Sequence, residues 1–351
     1  MNKRNQNIEL IRIISMIMII ILHILEQGGF VSNYILLSAK YNVLWFVEMA
    51  VFCCVNLFAL ISGYIYINKE KVKLKNLISL WFQVSFYSLG IFFIFLFISP
   101  SSVTVRSFIN SCLPIISNQY WYITAYFGMY LFIPYINRFI KSLSKREFKN
   151  FILILILIFS VLPTISPIDI FNTNGGFSTL WLIVMYFIGA YLNIFKEEFS
   201  KKSNLKNLII YILSIVCIVG FKFTIELITL KILGEAKLGN YFFSYTSLFI
   251  VIASIALFIF ILNIKISEKL TKIINLLGKL SLGVYLTHTN PLFFKLVWPK
   301  LFLNFTKLSL FKTLGVIIGA TIIVFIIGVS IEWMRVKLFK ILKVNNFIEK
   351  I

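Results

Sequence analysis

The feature that most constrains this chain is a succession of about ten apolar runs, each close to the roughly 20 residues an α-helix needs to cross a hydrocarbon core of about 30 Å. They fall at residues 8–25, 43–67, 77–99, 119–140, 150–165, 178–195, 205–223, 243–264, 276–298 and 311–334. In hydrocarbon every backbone N–H and C=O must be bonded within the protein, so such runs fold as helices. The expected fold is all-α: a polytopic membrane helix bundle of about ten transmembrane helices, in a single domain over residues 1–351. Composition agrees, with 60% hydrophobic residues, 13% charged and a mean hydropathy of +0.93. A soluble domain carries roughly 25% charged residues, which excludes a soluble enzyme or a disordered tail.

The net charge of +21 sits in short clusters between the runs rather than on one folded surface, so it reads as topology and not as a nucleic-acid footprint. Lys and Arg mark cytoplasmic loops. Lys3 and Arg4 precede the first run, and Lys69, Lys71, Lys73 and Lys75 follow the second. Lys141, Lys145, Arg146 and Lys149 follow the fourth; Lys196, Lys201, Lys202 and Lys206 follow the sixth. Lys265, Lys269, Lys272 and Lys279 follow the eighth, and Arg335, Lys337, Lys340 and Lys343 the last. The opposite connections are poor in Lys and Arg, the loop with Lys295, Lys300 and Lys307 excepted, while Glu226 and Lys231 fall in the outer loop after the seventh run. Both termini are therefore expected in the cytoplasm, which requires an even number of spans. The first run ends without a small-x-small cleavage site and is expected to stay attached. The four cysteines read as packing residues.

Charges at the centre of a membrane helix cost at least ~2.5–3.5 kcal/mol each, so those that remain are functional candidates. On the first run Arg12 and His23 stand eleven residues apart, within about 20° of one helix face and about 16 Å apart along its axis. Glu9 and Glu26 lie three residues outside them, completing a polar stripe. The second of the chain's two histidines, His288, falls in the ninth run within Ser281-Leu-Gly-Val-Tyr285-Leu-Thr-His288, at a depth comparable with His23. Two imidazoles at one depth can serve one reaction centre. The plainer alternative is that each only bonds to a neighbouring helix. Ser62-Gly63-Tyr64 suits a close helix crossing, and Tyr120-Trp121-Tyr122 an interfacial aromatic belt. Glu48 and Asn56 need partners that the sequence does not name.

Taken together these segments resemble the acyltransferase 3 family of membrane acyltransferases, which modify surface glycans in bacteria. The resemblance rests on Arg12 through His23 with Glu9 before it, and on Asn56-Leu-Phe-Ala-Leu-Ile-Ser62-Gly63-Tyr64. It continues through Trp121-Tyr122-Ile-Thr-Ala-Tyr126 with Pro134 following, and Leu280-Ser281-Leu-Gly283-Val-Tyr285-Leu286-Thr-His288. Nearly the whole chain is covered. Where related proteins often carry R-x-x-R on the cytoplasmic side near the third span, this chain has the lysine run from Lys69 to Lys75. Lysine neutralises phosphate without the bidentate fork of arginine. The fused SGNH-type hydrolase of some members is not seen, so the chain is expected to act on its acceptor directly or through a separate extracytoplasmic protein.

The resemblance implies an O-acyltransferase of the plasma membrane, most simply an O-acetyltransferase, with acetyl-CoA as co-substrate and no permanently bound cofactor or metal. Arg12, Lys69, Lys71, Lys73 and Lys75 are then the candidates to hold the nucleotide end of acyl-CoA, with the pantetheine arm along the stripe. His23 would be a general base or carry the acyl group itself, Glu26 would orient it, and His288 is a second catalytic candidate. Glu9, Ser62, Tyr64, Trp121, Tyr122, Ser281 and Tyr285 are candidates to line the substrate cavity. The expected acceptor is a surface polysaccharide or its lipid-linked precursor. A polysaccharide flippase or other transporter, for which the same stripe would line a path, is the alternative, and a glycan polymerase the third.

Overall fold

The computed structural model describes residues 5–32, 35–166, 168–200 and 204–350, leaving aside the side chains of Ser200, Asn345 and Lys350. Lys3, Arg4, Lys201 and Lys202, counted in the charge pattern, lie outside the described residues. All the secondary structure among the described residues is helical. Eleven helices carry the fold: α1 (Gln6–Gln27), α2 (Ala39–Val51), α3 (Cys54–Tyr66), α4 (Leu74–Ile98), α5 (Trp121–Ser142), α6 (Lys145–Ile156, prolonged to Ile165), α7 (Thr179–Ile194), α8 (Asn204–Leu233), α9 (Leu248–Leu262), α10 (Glu268–His288) and α11 (Leu310–Ile341). Among the described residues six segments are long and apolar enough to cross a membrane: α1, α2 with α3, α4, α6, α8 and α11. Helices α7 and α9 are apolar but shorter. Helices α5 and α10 are long enough to cross a membrane but too polar along their length to join either group.

Local chemistry sets the helix ends. Asn5 caps α1, its side-chain oxygen accepting the Asn7 and Ile8 N–H groups at 3.0 and 3.4 Å, which occupies donors that have no intrahelical partner. Ser144 and Glu147 form a capping box at the start of α6. Helix α6 loosens into a π turn at Leu157–Val161, just before Pro163, which has no N–H to continue the ladder.

Helix α1 is the central strut and packs against α3, α10 and α11. The closest crossing is α3 on α7. A side chain at Gly63 would meet the Tyr186 carbonyl oxygen and the Ala190 nitrogen, and one at Gly189 would meet the Leu60 carbonyl. Small residues let backbones approach this far, so the crossing read from Ser62-Gly63-Tyr64 is present. Its neighbour Asn56 finds two partners: its amide donates to the Tyr245 carbonyl and its oxygen accepts from the Trp181 indole, both at 2.9 Å.

Two runs depart furthest from the hydropathy pattern. The seventh run was expected to end at 223, but α8 continues to Leu233 and carries Glu226 and Lys231, which therefore do not belong to a loop. Lys222 and Glu226, one turn apart, form a buried ion pair, and Tyr41 donates to the same carboxylate at 2.6 Å. Paired charges let the helix continue where single ones read as its end. The ninth run was expected over 276–298, but α10 starts at Glu268 and stops at His288. Asn290 then caps a new short helix, Pro291–Leu296, followed by Trp298–Phe302. Lys269, Lys272 and Lys279 thus lie on a helix, and His288 ends one.

Candidate active site

In the polar stripe of α1, Glu9 is buried, Arg12 and His23 are half-buried and Glu26 is exposed. Arg12 and His23 line one cavity of about 540 Å³, a volume within the range of small-molecule sites. Of the residues singled out in the sequence, Ser62, Trp121, Tyr122, Ser281 and Tyr285 line the same cavity, contributed by α3, α5 and α10. Helix periodicity explains the assembly: Tyr122, Tyr126 and Tyr130 recur every four residues on α5 and all face inward. Tyr122 stacks on Tyr126 with ring centres 6.5 Å apart, and Tyr122 meets Tyr285 of α10 edge-on at 6.3 Å.

At one end Arg12 is braced by Glu9, its Nη1 3.5 Å from the buried carboxylate. A Cβ at Gly278 of α10 would press on the same Glu9 side chain, so glycine is what lets α1 and α10 close up here. Lys279, Asn76, Ser79 and Gln83 line the cavity with Arg12. Gln83 donates to Glu332 at 3.0 Å, and that carboxylate is held by a two-pronged contact from Arg335 and by Tyr87 at 2.7 Å.

At the other end the two histidines meet. His23 Nδ1 lies 3.2 Å from His288 Nε2, although 265 residues separate them in the chain. His288 Nδ1 lies 2.6 Å from the Val284 carbonyl, and the Trp298 indole donates to the His288 carbonyl at 3.0 Å. His288 is only 1% exposed, while His23 is half-buried and lines the cavity. Phe294 presses edge-on against His23, ring centres 4.8 Å apart. Trp121 and Tyr245, which line the same cavity, pack with Phe177, at 4.5 Å from Trp121 to Phe177 and 5.0 Å from Phe177 to Tyr245.

Other candidates lie elsewhere. Glu26 meets Glu48 of α2 rather than His23. Tyr64 packs against Phe258 of α9 and lines a separate, smaller hollow with Lys196 and Asn263. Lys71, Lys73 and Lys75 are exposed and line no part of the main cavity. Lys69 stands behind its wall, 3.1 Å from the Tyr130 hydroxyl and over the Tyr66 ring. Lys279, Tyr126, Tyr130, Gln83 and Tyr245 line the cavity without having been singled out as site residues. Periodicity could have found two of them, since Tyr126 and Tyr130 continue Tyr122. Among the described residues no group of three or more His, Cys, Asp and Glu side chains is placed to hold a metal ion.

The site therefore joins a guanidinium and an ammonium at one end of a cavity to a hydrogen-bonded imidazole pair at the other. Such a pair can accept and return a proton. A family profile described as an acyltransferase domain matches residues 5–333. No curated protein and no solved structure matches the chain.

Proposed function

The chain belongs to the acyltransferase 3 family, and from that premise we propose that this membrane acyltransferase moves an acetyl group from cytoplasmic acetyl-CoA to a hydroxyl of a cell-surface polysaccharide or its lipid-linked precursor. The observation that carries the reading is the cavity itself, which is lined by both Arg12 and His23. In this arrangement Arg12 and Lys279 hold the phosphates of the donor, the guanidinium through paired hydrogen bonds. The exposed Lys71, Lys73 and Lys75 attract the anion to the entrance. The pantetheine arm lies along α1, whose Arg12 to His23 interval is about 16 Å. The thioester then reaches His23.

His23 acts as the general base. The acceptor hydroxyl oxygen attacks the thioester carbonyl carbon, the carbon–sulfur bond breaks, and the ester bond forms. The hydroxyl proton passes to His23 and from there to the departing thiolate, which leaves as free CoA. Trp121 and Tyr245 border the acceptor end of the cavity, with Phe177 packed against both.

The reading carries a topology with it. Counting α2 with α3 as one span, the eleven helices make ten crossings of the plasma membrane, with both termini in the cytoplasm. Arg12 then faces the cytoplasmic side and His23 the outer half.

The test is the ester content of surface glycan in cells carrying the native chain, His23→Ala or Arg12→Ala, with protein level and total polymer followed together. Loss of ester with polymer intact supports transfer. Loss of the polymer itself supports a flippase instead.

A further inference from the structure

We infer that His288 fixes the tautomer of His23, so that the nitrogen offered to the acceptor is His23 Nε2. The inference rests on the reading of His23 as the base, and starts from one atom whose role admits no choice. A backbone carbonyl oxygen only accepts. Val284 O lies 2.6 Å from His288 Nδ1, so that nitrogen carries a proton. His288 is 1% exposed, and its ring bonds to a carbonyl and an imidazole with no carboxylate, a setting for a neutral ring. In a neutral imidazole one nitrogen donates and the other accepts, so His288 Nε2 is an acceptor. His23 Nδ1, 3.2 Å away, must then donate to it. The lone pair of His23 is left on Nε2, the ring nitrogen not committed to His288. The assignment follows from the bonding network, carbonyl to ring to ring.

The surrounding structure holds this order in place. Val284 is one helical turn before His288, so the carbonyl and the ring belong to one rigid element. The Trp298 indole donates to the His288 carbonyl at 3.0 Å, in the last turn of α10 where such carbonyls lack helical partners. Asn290 donates to the Tyr120 hydroxyl at 3.0 Å, and that hydroxyl donates to the Leu286 carbonyl at 3.1 Å, tying the same helix end to the start of α5. Phe294, on the short helix that follows α10, rests on the His23 ring. One segment after α10 thus braces both imidazoles.

The proton count during transfer is simple. The acceptor hydroxyl gives its proton to His23 Nε2, and the resulting imidazolium keeps its Nδ1 proton, which His288 Nε2 continues to accept. His288 stabilises the charged ring without changing its own protonation. It is a positioning residue, and it touches neither substrate. Without it nothing holds the proton on His23 Nδ1, and the tautomer with the proton on Nε2, which cannot take another from the hydroxyl, takes over.

The chain has two histidines, so labelling histidine with nitrogen-15 gives four ring signals in the full protein in nanodiscs. In the native chain His23 is expected with Nδ1 protonated and Nε2 bare. His288→Ala is expected to move the proton of His23 to Nε2 and lower kcat by about a hundredfold, with the KM for acetyl-CoA unchanged, within the range of a general-base contribution. His288→Gln, whose amide oxygen can accept from Nδ1, is expected to restore the native tautomer and most of the lost rate. A native His23 protonated on Nε2, or a tautomer that stays put in His288→Ala, overturns the proposal. His23→Ala separates the two levels: if it keeps full transfer, the base reading itself has failed whatever the spectra show. If it is inactive while His288→Ala keeps both rate and tautomer, only the role of His288 has failed.

Discussion

The buried polar clusters on α8 and on α1 differ in what stands beside them. On α8, Lys222 is 1% exposed and pairs with Glu226, whose carboxylate also accepts from Tyr41. The Lys222 ammonium lies 3.8 Å over the centre of the Trp45 ring and 3.4 Å from the Asn240 oxygen. Its charges are answered locally by aromatic faces and polar neighbours, and neither Lys222 nor Glu226 lines the main cavity. On α1 the stripe from Arg12 to His23 is only partly enclosed and opens onto a cavity along its length. On the proposed function, intramembrane charge is a functional signal where it also faces open space, as Arg12 does beside Glu9, and a structural one where its counter-charge and packing enclose it.

Breaking one residue of each cluster should show the difference. His23→Ala is expected to lower kcat for transfer by about 10²–10⁴-fold while leaving the unfolding transition in detergent near that of the native chain. Steady-state kinetics beside a thermal melt checks both halves. Lys222→Met reverses the pattern. It leaves a buried carboxylate without its counter-charge and is expected to cost about 3–5 kcal/mol of stability, with kcat per folded molecule unchanged. Lys222→Met combined with Glu226→Leu removes both charges and should recover most of that loss. If Lys222→Met abolishes transfer in protein that melts normally, the division between the clusters is wrong.

Smaller effects sharpen the comparison within the α1 cluster and its surroundings. Arg12→Gln is expected to raise the KM for acetyl-CoA by about 10–100-fold, the worth of a charge-assisted hydrogen bond, with less change in kcat. Replacing Lys71, Lys73 and Lys75 together by Gln should raise that KM by less than about tenfold, because exposed charges are screened. Added salt should erase the difference between this triple variant and the native chain but not the Arg12→Gln defect.

Arg12 and His23 were legible because a helix of period 3.6 brings residues eleven apart to one face, and an apolar background isolates them. Most of the helices were legible for the same reason. The contact between His23 and His288 was not, since it depends on how α1 and α10 pack and on where α10 ends. Hydropathy carried the ninth run on to 298, past the break at Asn290 and Pro291. Lys222 and Glu226 misled in the opposite direction, because an i, i+4 pair that neutralises itself inside the bundle looks in sequence like the edge of a loop. Lys279 read as a topology signal, and only the cavity distinguishes it from Lys272 on the same helix. Glu26 stands one turn from His23, yet side-chain direction turns it to Glu48.

The central claim is that one cavity carries an acyl group from the Arg12 end to the His23 end. Sealed proteoliposomes holding the chain in one orientation test it directly, with acetyl-CoA labelled in the acyl group on the Arg12 side and an oligosaccharide acceptor confined to the other. The account predicts labelled ester on the enclosed acceptor, at a rate cut by Arg12→Gln and lost in His23→Ala, with free CoA left where the donor was added. Ester formed only when donor and acceptor share the same side, or label crossing unchanged in both variants, would contradict it.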